Sequence, residues 1–183
     1  MQILYIFMAL VGFTMLYFGI KWMYQFFTTR KVIEFPLTEK TAEFLLDKGL
    51  YAFCMVGVRY ARNIGDFKIW LASDRDRRAL EKSSVGVNFS HNGSPAVQYS
   101  TFTVEQFGMY TVVLENIDKL KAKGSRLFFT RMLQSDIEPE RIRILIKETL
   151  PFERIFLGII FLVLGVNILV WGIILSFNPD IFL

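Results

Sequence analysis

His91 is the only histidine in the chain and Cys54 the only cysteine, so any chemistry that needs either residue has one place to happen. A histidine works as a general acid or base when a partner fixes its ring. His91 sits beside a turn, in His91-Asn92-Gly93-Ser94, with no partner adjacent in sequence, and is expected to be a solvated turn residue. Cys54 lies in the apolar run Tyr51-Ala52-Phe53-Cys54-Met55-Val56 and is expected to be a small buried hydrophobe. The usual zinc ligand sets cannot be assembled from this inventory. Neither a metal nor a cofactor is expected.

Carboxylates offer little more. Asp74-Arg75-Asp76-Arg77-Arg78 is the densest charge cluster. An Asp-x-Asp pair can hold a hard cation, but the interleaved arginines oppose that, and the glycine and terminal glutamate of a calcium loop are missing. A solvated loop is the plain expectation, and a protein-docking patch the functional one. Glu138-Pro139-Glu140, ahead of Arg141 and Arg143, reads as a turn into a strand rather than a catalytic carboxylate pair. No glycine-rich phosphate loop, dinucleotide fingerprint or nucleophile elbow occurs. Between Lys31 and Thr149, 18 Lys and Arg stand against 15 Asp and Glu, a near balance that argues against a nucleic-acid partner, which would demand concentrated basic charge. The expectation is therefore a protein that is not an enzyme.

Two long apolar runs, one near each end of the sequence, dominate the elements that could position such residues. Residues 3–20 and 155–177 carry no charge, and at about 1.5 Å of rise per residue each reaches roughly the 30 Å of a bilayer core. The expected organisation is a transmembrane helix over 3–27, a β-rich soluble domain over 31–150 and a second transmembrane helix over 155–177. Bulky Lys21-Trp22-Met23-Tyr24 follows the first run where a secretion signal would carry a small-residue cleavage site, so that helix is expected to be retained. Lys21, Arg30, Lys31, Arg141, Arg143, Lys147 and Arg154 lie on the inner flanks, and the outer tails hold no Lys or Arg. The positive-inside rule then places the middle domain in the cytoplasm, most simply of a bacterial inner membrane. Long loops obey that rule weakly, so an extracytoplasmic domain stays as the alternative.

The middle segment alternates in apolarity or is enriched in β-branched and aromatic residues over 32–37, 50–60, 67–72, 85–89, 96–104, 107–114, 126–133 and 141–147, which predicts strands. Asn92-Gly93 marks a tight hairpin between two of them. Residues 41–46 and 117–123 read as helical turns. The expected fold class is membrane α + β, with N- and C-terminal transmembrane helices bracketing an antiparallel β-sandwich or jelly-roll-like domain.

Within the apolar runs, Gly158, Gly165 and Gly172 recur every seven residues, as do Gly12 and Gly19. Seven residues is about two helical turns, so each set forms one stripe on which a neighbouring backbone can approach closely. Thr14 and Asn167 lie near mid-membrane, each two residues and about 200° beyond a stripe glycine. A polar side chain in hydrocarbon is costly unless satisfied. Either the two bond each other within one chain, or a second copy or the membrane segment of a partner satisfies them. The expected function is that of an integral membrane binding protein, in contact with lipid and with a protein partner that is itself membrane-inserted, and with a homo-oligomer as a further possibility. By architecture alone that layout suits an immunity protein that neutralises a membrane-active toxin. An auxiliary or assembly subunit of a channel, transporter or secretion complex is the alternative, and a membrane-bound enzyme the remaining one.

Overall fold

In a computed structural model, residues 2–73, 76–83, 87–125 and 127–178 are described. The chain divides into two units: residues 1–29 together with 150–183, and residues 30–149.

The first unit is a pair of helices, α1 (Gln2–Phe27) and α3 (Phe152–Phe177), each of 26 residues. Both are long and apolar enough to cross a membrane. Pro151 precedes α3 with φ −54°, and its carbonyl accepts from Ile155 N; its missing N–H costs nothing where helix donors are unpaired in any case. The helices run antiparallel, because Gly12 meets Leu169, Gly19 meets Leu162 and Ala9 meets Gly172. Trp22 stacks on Phe161 with ring centroids 5.4 Å apart.

The second unit is built from antiparallel strands. A five-stranded sheet contains β1 (Lys31–Pro36), β3 (Gly49–Val56), β7 (Asn88–His91), β8 (Ser94–Val104) and β11 (Arg143–Glu148), in the order β1-β11-β3-β8-β7. A four-stranded sheet contains β2 (Thr41–Leu46), β5 (Lys68–Ser73), β6 (Arg77–Ala79) and β9 (Gly108–Glu115), in the order β2-β9-β5-β6. The pair β4 (Tyr60–Asn63) and β10 (Leu120–Lys123) completes the sheets. Period-two alternation makes the core. Tyr51, Phe53 and Met55 of β3 and Ile144 and Ile146 of β11 join Phe44 and Leu46 of β2 and Val112 and Leu114 of β9 in one buried cluster. The intervening residues Ala52, Cys54, Val56, Ala96 and Leu145 face the other way and are covered by Phe89 of β7.

Four local readings of the sequence are corrected. Residues 41–46 form a strand, not a helical turn: their burial alternates, with Ala42, Phe44 and Leu46 inside. The run 50–60 is two strands, divided at Gly57, whose φ of +97° favours glycine. Residues 117–123 are a 3-10 turn, Ile117–Lys119, leading into strand β10. The run 126–133, expected to be a strand, contains the short helix α2 (Phe128–Leu133). Its apolar residues at 128, 129, 132 and 133 follow the i, i+4 spacing of a helix face. Asn92 and Gly93 take φ of 49° and 77° between β7 and β8, the paired positive angles of a type I′ hairpin that the Asn-Gly dipeptide predicts.

Candidate functional site

Glycines 12, 19, 158, 165 and 172 are all buried. A methyl group on Gly165 would lie 2.8 Å from Leu16 N, and one on Gly172 would lie 2.6 Å from Ala9 N, while Gly12 abuts the Leu169 backbone and Gly19 that of Leu162. Side chains beyond hydrogen cannot fit at these four positions without the helices moving apart. Gly158 is looser, with Met23 Sδ at 3.5 Å from where a methyl would stand. The glycine stripes of α1 and α3 therefore face each other within one chain.

Thr14 and Asn167 lie on exposed faces, and they do not bond each other. Thr14 Oγ1 donates to Leu10 O at 2.9 Å, and Asn167 Nδ2 donates to Val163 O at 2.7 Å. The expectation that the pair requires each other or a partner is thus corrected for Thr14, whose single donor is satisfied one turn back along its own helix. Asn167 differs because an amide carries two N–H donors and a carbonyl acceptor. Among the described residues, only one of its donors is used.

In the second unit, Asp74 and Arg75 lie outside the described residues. Asp76, Arg77 and Arg78 are not the open loop the sequence suggests, because Arg77 and Arg78 begin the edge strand β6. Arg77 Nη2 pairs with Glu115 Oε1 at 3.0 Å, and its guanidinium lies 4.5 Å from the Trp70 ring. Arg78 Nη2 donates to the Thr103 carbonyl. The Asp76 carbonyl accepts from Ser73 N at 2.7 Å. A cleft of about 280 Å³ lies beside Arg78, bounded by Ser73, Thr103, Glu105 and Tyr110. The two arginines are tied to their own domain, which reduces what they can offer a partner.

His91 is also not a solvated turn residue. Its Nε2 lies 3.3 Å from Glu34 Oε2, and the Glu34 side chain is only 8% exposed. Lys31 Nζ donates to the same oxygen at 2.5 Å, and Arg143 Nη1 stands 2.9 Å from Oε1 as an ion pair. The Lys31 hydrogen bond, against the opposing cost of burial and with help from His91 and Arg143, holds the Glu34 carboxyl below its ordinary range. A carboxylate that orients a histidine is half of a catalytic constellation. The other partner of His91 is the Asn92 amide at 3.5 Å, which is no nucleophile, so the cluster reads as a brace between β1, β11 and the β7–β8 hairpin. Cys54 is fully buried, and desolvation pushes its thiol up to about 12. Burial likewise lowers Lys147, whose ammonium lies 4.1 Å from the Phe89 ring. No group of three or more potential metal ligands occurs among the described residues.

The most unusual surface in this unit was not legible as a site in the sequence. Leu127, Phe128, Phe129, Met132 and Leu133 are 58% to 90% exposed, although each could have been buried in a core. The segment is held from beneath. Lys123 Nζ donates to the carbonyls of Arg131 and Gln134, at 2.6 and 2.8 Å, and the Arg131 guanidinium lies 4.2 Å from the Tyr60 ring. These contacts anchor the polar side of α2 and leave its apolar side outward. Helical spacing was the signal available: 128, 129, 132 and 133 share one face, with Arg131 on another. Within the domain, the chain enters at Arg30 and leaves at Thr149, where Lys31 pairs with Lys147 and Glu148 with Tyr51. β4 and β10, which carry α2, follow the opposite end of β3, where Val56 pairs with Arg143.

Compared with models of protein families, with curated proteins and with solved structures, the chain matches none.

Proposed function

We propose that this chain is a non-enzymatic integral membrane binding protein whose soluble domain engages a membrane-inserted protein through α2, and that it acts as an immunity or inhibitor protein against a membrane-active toxin. The observation that carries this reading is the outward apolar face of α2. Four large apolar side chains on one short helix, with Leu127 at its N-cap making a fifth, are costly in a water-facing domain unless another surface covers them. Aromatic and methionine side chains are the types enriched at the centres of protein interfaces. Basic flanking residues favour the cytoplasmic face of a bacterial inner membrane for the domain.

The reading predicts a membrane-active toxin encoded beside this chain, and cells producing that toxin provide the test, with the chain present, absent, or carrying Phe129→Ser and Leu133→Asp together. The intact chain should rescue survival. The double variant should lose at least about tenfold in protection, as expected for central interface residues, while accumulating equally in the membrane. Equal killing with and without the chain would remove the immunity reading. Recovery of the chain in stoichiometric complex with a channel or secretion assembly would replace it with the auxiliary-subunit role.

A further inference from the structure

Between residues 155 and 175 of α3, Asn167 is the only amide, hydroxyl or charged side chain. Its outward face reads Ile160, Leu164, Asn167, Trp171 and Ile174, spaced alternately by four and three residues. Leu164, Trp171 and Ile174 are exposed along with Asn167. This is the seven-residue seam of a paired helix, with β-branched residues and Asn167 at one class of position and Leu164 and Trp171 at the other. It lies on the side of α3 away from Gly158, Gly165 and Gly172, which α1 occupies. The intrachain pair thus uses one seam and leaves a second, chemically different one uncovered.

We propose that this second seam pairs with the α3 helix of a second copy of the chain, Asn167 against Asn167. Two copies inserted by the same route have α3 pointing the same way, so a two-fold axis along the membrane normal brings like residues together at equal depth. At that axis each Asn167 offers what the other lacks. The Nδ2–H left free by the Val163 bond donates to the partner's Oδ1, and the reverse bond follows by symmetry. Lipid chains can do neither. A β-branched residue at one seam position with leucine at the other, and one asparagine among them, is the pattern that favours two parallel strands in fixed register. The dimer is independent of the reading of α2, because a chain purified alone contains no other protein.

The full chain reconstituted in phosphatidylcholine vesicles supplies the test, with single cysteines at Leu164→Cys or Trp171→Cys and, as off-seam controls, Val166→Cys or Ile173→Cys. Val166 and Ile173 are equally lipid-exposed, and the native Cys54 is buried and gives no background. Mild oxidation should yield disulfide-linked dimer at the two seam positions several-fold above the controls. In a resonance-energy-transfer titration, Asn167→Leu should lower the dimer fraction about three- to tenfold, and Asn167→Gln should largely preserve it, the range expected for interhelical hydrogen bonds in lipid. Equal cross-linking at all four positions would overturn the proposal. So would a monomer at every protein-to-lipid ratio, or unaltered pairing of Asn167→Leu.

Discussion

At the scale of single residues, the soluble domain is organised by two groups with opposite electrostatics. Glu34 is a buried carboxylate held charged by Lys31, His91 and Arg143. Because its folded-state pKa lies below the ordinary carboxylate value of 4.5, its contribution to stability is complete above that value and is lost as pH falls through the lower folded-state one. Glu34→Gln should cost about 1 kcal/mol at neutral pH, discounted because Lys31 and Arg143 are half exposed, and should flatten the acid limb of stability below about pH 5. Denaturant unfolding across that range measures both. Cys54 is the opposite case, with its thiol pushed up to about 12 by burial. The reactive thiolate is scarce in the folded protein, so maleimide labelling at pH 8 should be at least about a hundredfold slower than in denaturant. The burial of Cys54 could be read from its apolar neighbours. The ring of cations around Glu34 could not, since His91 lies 57 residues away in sequence and stands on a strand at the other end of the sheet order from β1.

Elements obey the same division between local and non-local information. The glycine repeat was legible because its period alone fixes a stripe on each helix; that the two stripes meet is a property of the antiparallel pair. Gly165→Leu should separate α1 from α3 and cost about 1–3 kcal/mol, the scale of overpacking, whereas Val166→Ala on the exposed flank should change little. Unfolding in mixed micelles compares the two. The aromatic content of 126–133 points to a strand while its spacing points to the helix α2 that forms, and the outward face of α2 is not legible because exposure depends on what the rest of the fold leaves uncovered. Leu133 is 90% exposed, so Leu133→Asp should shift the stability of the domain by no more than about 0.5 kcal/mol. A larger loss would mean that α2 is part of the core and not an interface. β2 is hard to read for a simpler reason: exposed Glu43, with exposed Lys40 just ahead of the strand, imitates a helix surface, while the buried trio Ala42, Phe44 and Leu46 keeps period two.

For the molecule as a whole, the segmentation into apolar end, β-rich middle and apolar end follows from composition, because a run of some 20 uncharged residues has few other places to go. Within the middle, seven of the eight expected runs contain strands, while β2, β6 and β10 are strands that the sequence does not announce; sheet order is not legible, since pairing β11 with both β1 and β3 joins segments more than 80 residues apart. Only three residues separate Phe27 from β1, and three separate β11 from α3. The soluble domain displays a surface chemistry that its own fold does not use, the apolar face of α2. A photoreactive phenylalanine analogue placed at Phe129 or Leu133 in living cells tests that claim most directly, with Glu39 and Asn92 as exposed control sites. Irradiation should give one discrete adduct with another membrane protein from the two α2 positions and none from the controls. Adducts that are absent from α2, or equal at all four sites, would contradict the account.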